Sequence, residues 1–440
     1  MSSGSAEQRK KRLLVTTVGG APEPIVAGIL HSRPARVIFV CSPQTRRLVE
    51  QQAPQGKDPI LAVLLRNGFP LEAGQYEIVE VEDSQNLETF VSHMRRRVEP
   101  VVRKWILRGA DFEVIVDFTG GTKCMSAGMV LASLDWHCQW QYVGGSERTK
   151  DGVGIVVDGT EQAVHPRNPW DTLAWRHVLR AAALFDEGDT GAAVTVLRDA
   201  LRASTEGDVK KALAALQNFC SVFWHWDAFR HGDALKTLED FLASAYSMAC
   251  ILSQEAVDEL RKRAQGARPI LQQLAACEGP EPILIADIYR NGERRMREER
   301  WDDAAARFYR CTEALAQGAL RRHGIESTDK VPVGKIPEAL RKEWCLESCE
   351  GTVILPLYRS YQLLDALGDP LGPRFLESAF GDNKKTPLTA RNYSILAHGF
   401  RPVSKADAEA LQKELQKLAG KDPGDPIPAF PKLGDVIELR

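Results

Sequence analysis

The chain has no cysteines in C-x-x-C spacing, and its nine cysteines are scattered over 440 residues. Neither a disulfide framework nor a zinc site is suggested, and a reducing cytoplasm suits this usage. No apolar run approaches the ~20 residues of a membrane-spanning helix. Leu13-Leu14-Val15, behind the basic run Arg9-Lys10-Lys11-Arg12, is too short for a signal-peptide core, so the first eight residues read as a disordered leader and no membrane partner is expected. An excess of one charge is missing too. With 57 Lys and Arg against 59 Asp and Glu, the net charge is −2, so any RNA-binding surface has to be a local groove. A Walker loop and a G-x-G-x-x-G fingerprint are both absent, which disfavours ATP hydrolysis and nicotinamide chemistry. No grouping of His, Cys and carboxylates suggests a metal.

What is present is organised around Asp117-Phe118-Thr119-Gly120-Gly121-Thr122-Lys123. The apolar run before it, Phe112–Val116, reads as a buried strand; the small apolar run after it, Cys124–Leu134, reads as a helix. The two glycines therefore sit at a strand-to-helix turn, where positive φ and close approach of another molecule are both allowed. Free N–H groups at a helix start form an anion site. Lys123, in the first turn, opposes the helix dipole, and that placement makes sense if a phosphate lies between it and the glycines. The same spacing also suits a tight turn whose lysine points into water.

Strands alternate with helices over the first 165 residues. Leu13–Val18, Arg36–Cys41, Glu77–Val81, Phe112–Asp117, Gln139–Val143 and Gly154–Val157 read as strands, and a long helix is expected over Asn86–Arg108. This pattern predicts a mostly parallel, doubly wound Rossmann-like sheet. Ligands in such sheets bind beyond the carboxyl ends of the strands. Three turns lie there and define a candidate binding crevice: Thr17, Gly19 and Gly20; Ser42 and Gln44; and Thr119, Gly120, Gly121, Thr122 and Lys123. Short polar turns are also the ordinary way to join a strand to a helix.

A strand ending in Thr-Val-Gly-Gly, then a later strand followed by Asp-Phe-Thr-Gly-Gly-Thr-Lys-Cys-Met-Ser, resembles the CARF domain, the Rossmann-like sensor of CRISPR-associated proteins. The resemblance covers about the first 165 residues. It implies a homodimer whose two crevices together bind a cyclic oligoadenylate.

His165-Pro166-Arg167-Asn168-Pro169 marks a boundary, and the rest of the chain is helical in character. Helical hairpins are expected around Gly188-Asp189 and around Glu299–Asp302. Two such copies fall short of the three or so that a solenoid needs. Trp224-His225-Trp226 suits a core or interface better than a base-stacking platform. Near the C-terminus, Thr386–Gly399 reads as a three-turn helix with Thr386 as N-cap, Pro387 at its first position and Gly399 beyond its end. Arg391 and His398 would then share one face, roughly 10 Å apart. A guanidinium to grip phosphate and a histidine to move protons suit phosphodiester cleavage, although such a pair also arises by chance.

Arg-Asn-x-Ser-Ile-Leu-Ala-His-Gly, in a helical region behind a CARF-like domain, resembles the HEPN ribonuclease motif. Nearly the whole chain is similar to the CARF–HEPN ancillary ribonucleases of type III CRISPR systems. The resemblance implies a composite site built from two subunits and metal-independent cleavage of single-stranded RNA that leaves a 2′,3′-cyclic phosphate. Arg391 would stabilise the transition state, His398 act as acid or base, and Asn392 help orient them. Cyclic tetra- or hexa-adenylate would be the activator, with no cofactor. The expected architecture is α/β plus all-α: a CARF domain over 1–165, a helical linker domain over 166–280 and a helical HEPN domain over 281–440. Two other readings are a non-enzymatic nucleotide-sensing regulator and a CARF protein that also cleaves its own ligand. The first lacks support, because no basic recognition helix stands out in the second half.

Overall fold

The computed structural model describes residues 11–51, 56, 58–107, 112–134, 136, 138–147, 160–164, 171, 173–382 and 386–437. The strand expected at Gly154–Val157, the boundary at 165–169 and the leader lie outside them. The chain divides into two compact units, one formed by 1–175 with 202–210, the other by 176–201 with 211–440.

The first unit is built on a six-stranded sheet. Its strands are β1 (Lys11–Thr17), β2 (Arg36–Cys41), β3 (Tyr76–Glu80), β4 (Phe112–Asp117), β5 (Cys138–Gly145) and β6 (Glu161–Val164). Their order is β3-β2-β1-β4-β5-β6, parallel throughout except for β6, which pairs antiparallel with β5. Strand residues alternate between faces. Leu13, Val15, Ile38, Val40, Val114 and Val116 pack under Phe90, Met94, Met125 and Met129. Leu14, Val37, Phe39 and Ile115 pack under Ile25, Ile29, Ile60 and Leu64. Both faces are covered, which is why these strands read as unbroken apolar runs. The long helix expected over Asn86–Arg108 is three consecutive segments: Leu87–His93, a π turn at Met94–Val98, and Glu99–Leu107. Asn86 caps it, accepting the Thr89 N–H.

The second unit contains repeated helical hairpins. Three of its turns share one geometry, with a left-handed residue at Gly188, Phe229 and Glu299. In each, the next residue donates to a carbonyl five residues back: Asp189 to Leu184, Arg230 to His225 and Arg300 to Arg295, all at 2.9 Å. This is the Schellman arrangement. Five residues beyond each left-handed position stands an alanine, Ala193, Ala234 or Ala304, and each is fully buried. The middle copy is hard to see in the sequence because phenylalanine occupies the position where glycine is expected. Trp226 is core, as its pattern suggested: it stacks on Phe223 and donates to Asp287.

Further on, helices α1 (Pro282–Arg297) and α2 (Trp301–Arg322) pack against Leu357–Ala366, Leu371–Leu376 and Lys405–Ala419. Tyr289, Phe308, Tyr361, Phe375, Leu411 and Leu415 fill the space between them. The last helix starts with a capping box, Ser404 and Asp407, and ends at Gly420 in the left-handed region. The tail beyond it is a strap. Phe430 packs on Phe223 and Trp226, Arg294 lies 4.0 Å over its ring, and Asp186 accepts the Leu433 and Gly434 N–H groups.

Candidate functional site

In the sheet unit, the parallel order reverses between β1 and β4, and the two glycine turns meet at that point. The Thr17 hydroxyl donates to the Gly120 carbonyl at 2.6 Å. A Cβ on Gly120 would lie 2.1 Å from the Thr17 carbonyl, and one on Gly19 would lie 2.6 Å from the Gly121 nitrogen. Only glycines allow these two turns to touch. Gly121 has φ +89°, and Met125 closes the space behind it.

The expected crevice residues fall into two groups. Thr17 is fully buried and ties the turns together. Thr119 donates its N–H to Asp117 and accepts from the Val143 N–H at 2.7 Å, while Thr122 caps the following helix. Ser42 is buried and exchanges hydrogen bonds with Thr45. These hydroxyls are committed to the scaffold. Gly20, Gln44, Gly121 and Lys123 are exposed, and Gly19 and Gly120 are partly so. Among the described residues no carboxylate is paired with Lys123. One bordering loop has no signal in the sequence: Ser84 and Gln85, after β3, accept from Thr122 and Cys124.

The Arg391–His398 segment departs from the expected helix. The helix covers only Leu388–Asn392, and the chain turns at Tyr393. The Ser394 carbonyl accepts from Ala397 and Gly399, and His398 donates its N–H back to the Asn392 carbonyl at 3.2 Å. Gly399 is required by this turn, since a Cβ there would lie 1.9 Å from the Tyr393 carbonyl. The physical reason for the early stop is the lack of a face to bury. Leu388 and Ser394 are buried, but Tyr393, Ile395 and Leu396 stand 54–62% exposed, and a short helix without a docked stripe is marginal. Arg391 and His398 are therefore brought near one another by a backbone return rather than by two helical turns.

Two further features shape the site. The Arg391 guanidinium lies 4.0 Å over the Tyr309 ring and reaches Asn392 Oδ1 at 3.4 Å. Burial, together with the nearby Glu313 carboxylate, pushes the Tyr309 phenol above its usual range. Sequence reasoning missed Tyr309, because nothing local marks it. After the turn, the Val403 N–H is held by Asp302 at 3.2 Å, so both ends of the segment are fastened to α2. Phe400 is 94% exposed beside Tyr393, Ile395 and Leu396, giving an apolar surface around the motif. Among the described residues no His, Cys and carboxylate cluster could hold a metal, and no helix is long and apolar enough to cross a membrane.

Comparison with known proteins places these features. Residues 274–421 match the family model described as Csm6 HEPN domain, and residues 173–271 match that described as Csm6 6H domain. The CRISPR system endoribonuclease Csm6 of Thermus thermophilus is 26% identical over 435 residues, spanning 92% of this chain and 84% of that protein. The structure of Enterococcus italicus Csm6 bound to cyclic hexa-2′-fluoro-hexa-dAMP superposes with a TM-score of 0.53 at 11% identity, covering 93% of both chains. At that identity the likeness speaks for the fold.

Proposed function

We propose that this chain, which belongs to the Csm6 family, is an endoribonuclease of type III CRISPR defence switched on by a cyclic oligoadenylate. The observation that carries the reading is that Arg391, Asn392 and His398 fall inside the segment matched as a HEPN domain, in a chain related over nearly its whole length to an endoribonuclease. We keep the three-part division at 1–165, 166–280 and 281–440.

In the reaction we assign, a ribose 2′-hydroxyl of single-stranded RNA attacks the adjacent phosphorus, and the bond to the 5′-oxygen of the next nucleotide breaks. The products are a 2′,3′-cyclic phosphate and a free 5′-hydroxyl. His398 moves the protons, and its exposed ring suits a group that must meet substrate. Arg391 pairs with the non-bridging oxygens, where charge builds up. Stacking on Tyr309 and the contact with Asn392 limit the guanidinium's freedom beforehand. The chemistry needs no metal.

Homodimerisation is part of the proposal. One chain supplies one Arg391 and one His398, and the apolar residues around them are the kind of surface that a second copy covers. In the sheet unit, Gly19, Gly20, Gln44, Gly120, Gly121 and Lys123 are the groups we assign to the activator, which favours backbone N–H donors and a lysine. The test is cleavage of single-stranded RNA with and without cyclic tetra- and hexa-adenylate, in excess EDTA. Activation by one ring with cyclic phosphate ends is expected. Absence of cleavage with either ring, or a strict need for added divalent metal, would overturn it.

A further inference from the structure

On α2, the face next to Tyr309 lines a cavity of about 500 Å³ bordered by Phe229, His231, Ile288, Ala306, Arg307 and Arg310. No step of the mechanism above uses it. We propose that this cavity holds an unstacked base of the substrate RNA near the scissile bond, with Arg307 and Arg310 on its phosphate, and so sets sequence preference. The inference rests on the ribonuclease reading of Arg391 and His398.

Three observations carry it. The first is chemistry. Single-stranded RNA is recognised by splaying bases onto aromatic rings, guanidinium planes and apolar walls, while cations follow the backbone. The cavity offers all of these, and its volume lies in the range of small-ligand pockets. The second is rigidity. His231 is 8% exposed, and its Nε2 is held at 2.9 Å by Asp287, which also accepts from Trp226. Phe229 sits at φ +57°, an uncommon conformation for a bulky residue, and its ring remains partly exposed at the rim. Arg307 uses Nε on Asn291 and Nη1 on Asp303, and Arg310 uses Nη1 on Glu313 and Nη2 on Gln317. Arg307 Nη2 and Arg310 Nε remain outside those bonds. The third is position. Arg310 follows Tyr309 directly, a step of ~1.5 Å along the helix and ~100° around it. Glu313 bonds to Arg310 and its charge is felt by the Tyr309 phenol, so one carboxylate lies beside both the platform of Arg391 and the cation at the cavity. The ring under Arg391 and the cation at the cavity are thus consecutive residues of one helix.

The experiment is an abasic scan. A defined RNA is made with one base at a time removed around its cleavage position, and KM and kcat are measured at saturating activator. For the wild-type protein, loss of one particular base should raise KM at least ~10-fold, near the low end of what base stacking contributes. Ala306→Phe fills the cavity without touching an ion pair. It should raise KM for the intact RNA by a similar factor and make removal of that base cost nothing further. Phe229→Gly, which suits the positive φ and spares the fold, should act in the same direction. A flat abasic profile in wild-type protein that still cleaves RNA would overturn this inference alone. So would an Ala306→Phe protein that keeps the wild-type KM and profile. A flat profile with cleavage inhibited by free nucleoside monophosphates would assign the cavity to a free nucleotide and also overturn it. Wild-type protein that cleaves no RNA would sink the ribonuclease reading first.

Discussion

Replacing Tyr309 with leucine keeps an apolar side chain in a half-buried position but removes the ring on which Arg391 lies at 4.0 Å. A cation over an aromatic face is worth ~0.5–1 kcal/mol when exposed and ~2 kcal/mol when desolvated. Arg391 is partly buried, between those limits. If the stacking energy holds the guanidinium in its productive pose, losing it slows the chemical step by about 2- to 30-fold, at ~1.4 kcal/mol per decade. Tyr309→Phe is the matched control. It keeps the face and removes only the phenol oxygen, so it should stay within about 2-fold of wild type, the exposed limit of the stacking energy. The assay is single-turnover cleavage of a labelled RNA at saturating activator, with thermal melting alongside. The reasoning fails if leucine and phenylalanine lose equal activity, because the phenol rather than the ring would then matter. It also fails if the leucine variant cleaves at the wild-type rate.

His398→Ala should lower cleavage by at least ~10²-fold, the scale of a lost acid or base, with activator affinity unchanged; full turnover would remove the assignment. Lys123 is exposed, so Lys123→Ala should leave the melting temperature alone and weaken activator binding about 10- to 160-fold, matching ~1.5–3 kcal/mol for a charge-assisted hydrogen bond; unchanged calorimetric affinity across ring sizes would count against the crevice. Gly121→Val combines a left-handed φ, worth ~1–2 kcal/mol, with crowding against Met125, so it should harm binding more and lower stability as well; a normal melting curve would contradict the geometry. Asp227 ties Arg294 and Arg295, both under a tenth exposed, so Asp227→Ala should cost about 3–5 kcal/mol in urea unfolding, and a loss below about 1 kcal/mol would mean the pair is solvated.

Several features could be read from the amino-acid sequence alone because their causes are local. The strands Arg36–Cys41 and Phe112–Asp117 appear with the bounds expected, since strands covered on both faces are continuous apolar runs between turn residues. The glycine pair at 120 and 121 marked a strand-to-helix turn, and the helix follows it at Lys123. What needed the tertiary structure were features set by distant partners. Thr17, Thr119 and Thr122 look like ligand groups in sequence, yet their hydroxyls serve residues that the fold brings alongside, while Ser42 pairs with Thr45 in its own turn. Arg391 and His398 carry helical spacing, but helix length depends on a surface to dock against, and beyond Asn392 the side chains of Tyr393, Ile395 and Leu396 stay exposed. Tyr309 is 82 positions from Arg391, and only the packing of Leu388–Asn392 on α2 makes them neighbours. Local propensity and periodicity are encoded residue by residue; which hydroxyl is spent, where a helix runs out of support and which ring meets a guanidinium depend on long-range packing, and that is settled only when the chain has folded.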